Sequence, residues 1–418
     1  MEVRAVKAKQ IVAAGKITRG VDCYLVPSQT GSGRYRVVTD GLFPSCTCRD
    51  FELTDQPCKH ILAVRDWVEG GSVTPDDVPT ERVPRKTYKQ DWPNYNRAQT
   101  TEKERFQVLL RDLCSNLAHP AKVGKVGKGR PRLPLSDTVF CAAFKVYLTF
   151  SGRRAMTDMR EAAERGHIEK APHFNSILNC LEDETLTPIL RELIAESAKP
   201  LAAVEVDFAA DSSAFTSSTF ARWYDEKYGK ERTFHAWQKV QIMCGVRTNI
   251  VTTAIVCEKD GADGPYLPQL TKETAANFNI KEVSADKGYS SANGHDAVAA
   301  AGGVPFIAFR NNATGGIGGL YQKMFHYFSF RRDEFLKHYH KRSNVESVFS
   351  MVKRKFGDSL RSKSRAAQVN EVLMKFLCHN LCVLVQETQE LGISPVFWPE
   401  PACTNKEPAA QILRFPGV

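Results

Sequence analysis

Beyond Ala202 short apolar runs of strand length begin to alternate with helical segments, and that order leaves few folds open. The strand-like runs are Val204–Ala210, Lys239–Val246, Ile250–Val256, Lys281–Ala285 and Val304–Arg310. Helical patterns fall at Leu267–Phe278 and His295–Ala301, and a longer one from Asp333 to about Phe356 closes the set. Three strands, then helix, strand, helix, strand and helix predict a multidomain α/β protein with one mixed sheet flanked by helices.

The rest of the chain divides by composition. Cys23–Val26 and Tyr35–Val38 flank Gln29–Gly33, which is hairpin chemistry, and a helical pattern follows from His60 to Val68. This predicts a small ββα module over 1–71. Pro75, Pro79, Pro84 and Pro93 among polar residues predict a linker over 72–100. Thr101–Glu104 reads as a capping box opening a helix, and Ser136 as the cap of a second, within an expected helical DNA-binding region over 101–200. The α/β core would then run over 201–390, with a peripheral tail over 391–418.

At 418 residues, 42% hydrophobic and 25% charged, the chain is long enough for two or three domains and too apolar for general disorder. No apolar run approaches the ~18 residues of a membrane span; Lys145 breaks the longest, Val139–Phe150. The basic N-terminus lacks the apolar stretch of an export signal, so a cytosolic chain with reduced thiols is expected. The net charge is +10. Its distribution says more: 331–365 holds eleven Lys/Arg against four Asp/Glu, which favours a polyanionic partner, above all nucleic acid.

Three of the twelve cysteines cluster. Cys46-x-Cys48, nine residues, then Cys58-x-His60 gives two tight pairs of soft donors, which is what tetrahedral structural zinc requires. A module this small gains most from a metal. The expected ligands of Zn²⁺ are Cys46, Cys48, Cys58 and His60.

A second constellation is acidic. Asp211 is expected to end the first strand of the α/β region, Asp286 ends a later one, and Glu346 lies in the last helical pattern. Two-ion chemistry on phosphodiesters needs carboxylates at neighbouring strand ends and on a packed helix. Tyr339, Arg342, Glu346 and Lys353 stand at helical offsets 0, 3, 7 and 14, within roughly 60° of arc at about 100° per residue. Such a polar stripe suits a face that lines a site, with Glu346 on metal and the cations on phosphate. Asp207 shares strand parity with Asp211, so either could be the first metal ligand.

Two resemblances follow from these residues. Cys-x-Cys-x9-Cys-x-His over roughly 20–70 resembles the SWIM zinc finger. Tyr-x2-Arg-x3-Glu-x6-Lys, with Ala210–Phe215, Ala285–Tyr289 and Gly129–Pro134, resembles bacterial insertion-sequence transposases with a ribonuclease-H-like DDE core. The order Asp, Asp, Glu is kept, at separations of 75 and 60 residues, and the resemblance covers about residues 125–385.

This resemblance implies Mg²⁺ (or Mn²⁺) on Asp211, Asp286 and Glu346, with hydrolysis at element ends and attack of the freed 3′-OH on target DNA. It implies phosphate contacts for Arg342 and Lys353, and a positioning role on the helix or the DNA for Tyr339. His235 and Lys239 resemble second-strand positions near DNA; a packed histidine is the alternative at 235. Arg130 and Arg132, with Lys122, Lys125 and Lys128, would track phosphates or enter an A·T-rich minor groove. The implied partners are the terminal inverted repeats, target DNA and a second copy of the chain in a synaptic complex. The implied location is the cytoplasm, at a bacterial nucleoid. Two rival readings use the same residues: a nuclease of this fold without strand transfer, and a catalytically inactive, transposase-derived DNA-binding protein.

Overall fold

The structure is a computed structural model, and it describes residues 2–20, 22–29, 33–39, 44–54, 56–68, 91–117, 133–217, 237–257, 261–310 and 313–398. The chain divides into two compact units, 1–89 and 90–418.

The first unit opens with helix α1 (Glu2–Ala13), continues through strands β1 (Thr18–Arg19), β2 (Tyr24–Pro27), β3 (Arg34–Val38) and β4 (Ser45–Cys46), and ends with α2 (Arg49–Thr54) and α3 (Lys59–Val68). The four strands form one antiparallel sheet in sequence order. Val26 and Val37 alternate onto its buried face, and α1 and α3 pack Ala8, Ile11, Val12, Ile61 and Val64 into the same small core. The expected hairpin and following helix are therefore present. The ββα expectation lacked α1, whose apolar spacing is too sparse to stand out in a basic segment.

The second unit begins with α4 (Trp92–Cys114), α5 (Leu135–Tyr147), α6 (Met156–Glu164), α7 (Phe174–Glu182) and α8 (Leu186–Ala198). The helix expected to open at Thr101 starts nine residues earlier, because the Asp91 carboxylate caps the Asn94 N–H at 3.3 Å and Pro93 suits a first turn. Thr101 lies inside that helix, its hydroxyl bonded to the Arg97 carbonyl at 2.8 Å instead of capping. Ser136 likewise falls inside α5, whose cap position is Pro134.

Strands β5 (Asp207–Thr216), β6 (Trp237–Gly245), β7 (Val251–Cys257), β8 (Glu282–Ala285) and β9 (Val304–Ile307) form one mixed sheet in the order β7-β6-β5-β8-β9. Only β6 runs against the rest: it is antiparallel to β5 and β7, while β5, β8 and β9 are parallel. Helices α9 (Leu267–Ala275) and α10 (Ala292–Ala300) make the crossovers that parallel strands need. This is the mixed sheet flanked by helices that the alternation predicted.

After β9 come α11 (Gly319–Phe330), α12 (Arg332–Tyr339), a 3-10 turn at His340–Arg342, α13 (Ser343–Phe356) and the 26-residue α14 (Arg365–Glu390). The single helix expected from Asp333 to Phe356 is thus two helices joined by a tighter turn, although Tyr339 and Arg342 keep helical dihedrals. Helix α14 packs against α4, α5, α7, α8 and β7, so helices and sheet share one continuous core. Its buried asparagines stitch the layers. Asn380 donates to Ser197 Oγ at 2.9 Å and to the Val251 carbonyl at 2.7 Å, and Asn370 donates to the Leu181 carbonyl at 2.9 Å. The start of the expected tail is not loose: Trp398 donates its indole N–H to the Leu113 carbonyl at 2.8 Å.

Candidate active site and metal centre

Parallel register brings the two aspartates together. Ala210 pairs with Ala285, so Asp211 and Asp286 are the next residues on two neighbouring strands, whose axes lie about 4.8 Å apart. Asp211 does not end its strand as expected. Strand β5 runs on to Thr216 against β6, and only the pairing with β8 stops at Ala210. Asp286 is in extended backbone at the mouth of a 3-10 turn, Lys287–Tyr289.

Helix α13 supplies the third carboxylate. Val345, Val348, Phe349, Val352 and Phe356 recur at helical spacing and bury one face of it, so Arg342, Glu346 and Lys353 fall along the edge of that face. Arg342 spans the site, with Nη1 3.0 Å from Asp211 Oδ2 and Nη2 2.5 Å from Glu346 Oε1. Lys353 donates to Ser213 Oγ at 2.7 Å, two residues beyond Asp211 on the same strand face. Tyr339 is half-buried and stacks on Phe335.

The electrostatics are those of crowded carboxylates. Burial pushes the Asp211 carboxyl up, Asp286 and Glu346 push it further, and the Ser212 N–H and Arg342 only partly offset this. Burial opposes the Arg342 charge, yet Tyr339, Asp211, Glu346 and Asp286 together hold its pKa above the usual value. A carboxylate raised by burial and by neighbouring carboxylates, as Asp211 is, gains from a cation bound beside it.

Asp207 and Asp211, alike in the sequence, have different surroundings. Asp207 lies four residues back, roughly 13 Å along the strand. Its Oδ2 is 2.7 Å from Lys341 Nζ, and Lys341 also reaches Glu282 Oε2 at 2.7 Å. His338 Nδ1 lies 3.0 Å from Glu282 Oε2, completing an ion network at the opposite end of the parallel pair. The sequence offers Lys341 as a phosphate contact beside the helix; the structure instead pairs it with carboxylates more than fifty residues away.

Lys239 is in β6, but its Nζ is 2.7 Å from Asp263 Oδ1 and 2.8 Å from the Gly261 carbonyl. Asp263, Gln241 and Tyr289, which join it in one buried network, carried no periodic signal. Arg130, Arg132, Lys122, Lys125, Lys128 and His235 lie outside the described residues.

In the first unit, Cys46 sits on β4, Cys48 on the turn after it, and Cys58 and His60 at the start of α3. All four are buried, and their ligand atoms lie within 4.8 Å of one another. It is the only group of three or more such side chains converging in this way among the described residues. His60 Nδ1 is 3.8 Å from both Cys46 Sγ and Cys58 Sγ. An ion with Zn–S near 2.3 Å and Zn–N near 2.0–2.1 Å spaces such atoms by roughly 3.6 Å in a tetrahedron, so the donors fit zinc. A hydrogen bond from Cys46, helped by His60, holds the Cys58 thiol well below its usual range, and the same bond pushes Cys46 up. The Tyr35 ring covers His60 at 4.4 Å, closing the site as structural centres are closed.

Two family descriptions match parts of the chain. Residues 203–381 match the family described as the transposase DDE domain, and residues 24–64 match the SWIM zinc finger. No curated protein matches the chain. A solved piggyBac transposase synaptic complex with hairpin DNA, determined by cryo-electron microscopy, is 11% identical over 75% of this chain and 78% of that one. Its TM-score is 0.32, too distant a likeness to bear on fold or chemistry. The carboxylate-bearing sheet thus lies within a transposase DDE domain, residues 203–381, and the cysteine cluster within a SWIM zinc finger, residues 24–64.

Proposed function

We propose that Asp211, Asp286 and Glu346 are the catalytic carboxylates of this DNA transposase, which cuts at the ends of an insertion sequence and joins the freed ends to target DNA. The observation that carries the reading is the register: Ala210 opposite Ala285 sets Asp211 beside Asp286, and Arg342 links Asp211 to Glu346. A DDE domain works with divalent metal, and the SWIM finger with zinc. Hard carboxylate oxygens of this kind suit Mg²⁺ or Mn²⁺. When bound, a divalent pair would activate the attacking oxygen and stabilise the leaving one.

The chain's own residues do the rest. Asp211 is carried on the sheet and Asp286 just beyond a neighbouring strand, while Glu346 is exposed on its helix and paired with Arg342. Arg342 neutralises Asp211 and Glu346 until DNA arrives, then turns its guanidinium to a phosphate, for which its planar fork is suited. Lys353 holds a second phosphate from beside Ser213. Tyr339, packed on Phe335, fixes the turn that carries Arg342. Asp207 takes no part in the chemistry, because Lys341 already neutralises it.

The substrates in this reading are terminal inverted repeats and target DNA. Because two ends are joined in one event, two copies of the chain assemble on them, at the nucleoid of a bacterium. The test uses labelled duplexes carrying the sequences that flank the gene, with Mg²⁺, comparing wild type and Glu346→Gln at matched occupancy. Cleavage and joining that vanish in the variant support the transposase. Cleavage without joining supports a nuclease, and binding without cleavage a DNA-binding protein only.

A further inference from the structure

The face of the sheet opposite Asp211 carries a polar network with no part in the chemistry above. Asp211 and Ser212 are consecutive on β5, so they project to opposite faces, and Ser212 pairs across the strands with Gln241. Gln241 is fully buried; its Nε2 donates to Asp263 Oδ1 at 2.6 Å, and its Oε1 accepts from the Tyr289 hydroxyl. Lys239 donates to the same Asp263 oxygen at 2.7 Å, and the Ser212 side chain lies beside both Asp263 and Tyr289.

The ends of this network are informative. Ser212 follows Asp211 directly, and Tyr289 closes the 3-10 turn that Asp286 opens. The Asp263 carboxylate also rests against Gly288, where a Cβ would come within 3.3 Å of Oδ2. Asp263 therefore meets both segments that carry the aspartates, at Ser212 and at Gly288. It is not itself suited to a divalent ion, because Lys239 already neutralises it and Gln241 occupies the same oxygen. Burial alone would push its carboxyl up; the bonds from Lys239 and Gln241 outweigh this and keep it ionised.

We propose that Asp263, clamped by Lys239 and Gln241, is a positioning residue that sets the spacing of Asp211 and Asp286 from behind the sheet. Lys239 then acts on the metal site through Asp263 and does not hold DNA. The inference rests on the reading of Asp211 and Asp286 as the divalent-metal pair. Groups that orient metal ligands in this way are worth about 10–100-fold in metal affinity.

The test needs no knowledge of the element's ends. Mn²⁺ binding to the full-length, zinc-loaded chain is followed by the resonance signal of free Mn²⁺. Binding to a labelled duplex of arbitrary sequence is followed against salt. Asp263→Asn and Lys239→Gln should each weaken Mn²⁺ binding about tenfold, with melting midpoints and the salt slope of DNA binding unchanged. Tyr289→Phe keeps the ring and removes only the hydroxyl with its links to Gln241 and Ser212, so it tests the network even if Asp263→Asn folds poorly. It should weaken Mn²⁺ binding about threefold, a fraction of the full effect.

Wild-type Mn²⁺ affinity in folded Asp263→Asn or in Tyr289→Phe overturns the proposal. So does a Lys239→Gln variant whose salt slope drops by about 0.9, the mark of one fewer neutralised phosphate, while its metal affinity holds. Asp211→Asn is run alongside. If it too binds Mn²⁺ like wild type, the fault lies in the metal-site reading and not in the role of Asp263.

Discussion

Arg342 is the residue on which the site turns. Its fork reaches Asp211 and Glu346 together, which a lysine's single ammonium could not reproduce. Arg342→Gln should lower the cleavage rate about hundredfold, the scale of losing one oriented group at developing charge, and Arg342→Lys should recover only part of it. Single-turnover cleavage at saturating DNA measures both. Much of this site was legible: the spacing of Tyr339, Arg342, Glu346 and Lys353 is enough by itself to set them on one arc. The choice between Asp207 and Asp211 was not, since both share a face and only the fold brings Lys341 against one of them. Asp263 was invisible for the same reason. Its partners Gln241 and Lys239 lie more than twenty residues away, and a lone loop aspartate has no pattern of its own.

Helix α14 and strand β5 decide whether that geometry persists. Phe376 of α14 packs on Phe215 of β5 and Phe349 of α13, joining the two elements that carry Asp211 and Glu346. Phe376→Ala should cost about 3–5 kcal/mol in denaturant unfolding, as large core truncations do. Lys375, beside it, is buried and donates to the Gly357 and Ser359 carbonyls at 2.8 and 2.9 Å, holding the chain where α13 ends.

Burial brings the Lys375 ammonium down from 10.5 to about 8. Between those values the unfolded chain binds more proton than the folded one, so stability should rise as pH climbs from about 8 towards 10.5. Lys375→Met should flatten that rise in unfolding curves taken across the window. Helix α14 escaped the sequence reading because Gln368, Asn370, Glu371, Lys375, His379 and Asn380 interrupt its apolar pattern. All six are buried, and the partners of Asn370, His379 and Asn380 come from distant segments. Thr101 misled for the opposite reason: a good cap sequence lost to a better-placed Asp91 upstream.

At the level of the molecule, two cores stand apart in sequence, one closed by four metal-ligating side chains and one built round the mixed sheet. Chelation, or Cys58→Ser, should therefore abolish the unfolding transition of residues 1–89 and leave that of 90–418 near its original temperature. Calorimetry with and without added zinc tests this. The sequence announced both cores, one by cysteine spacing and one by strand-helix alternation. It could not announce that α4 to α8 share the second core, because that union depends on α14 returning from the far end of the chain. The +10 net charge also acts at this scale: DNA affinity should fall steeply with salt. Arg130→Ala with Arg132→Ala should make that slope shallower by roughly 0.9 for every phosphate the two arginines neutralise.

The central claim is that Asp211, Asp286 and Glu346 converge on divalent ions. Anomalous scattering from crystals of the DNA-bound chain grown with Mn²⁺ would test it most directly. Density for ions is expected among these three carboxylates, a pair standing about 3.5–4 Å apart. Manganese beside Asp207 and Glu282, with none near Asp211, would contradict it.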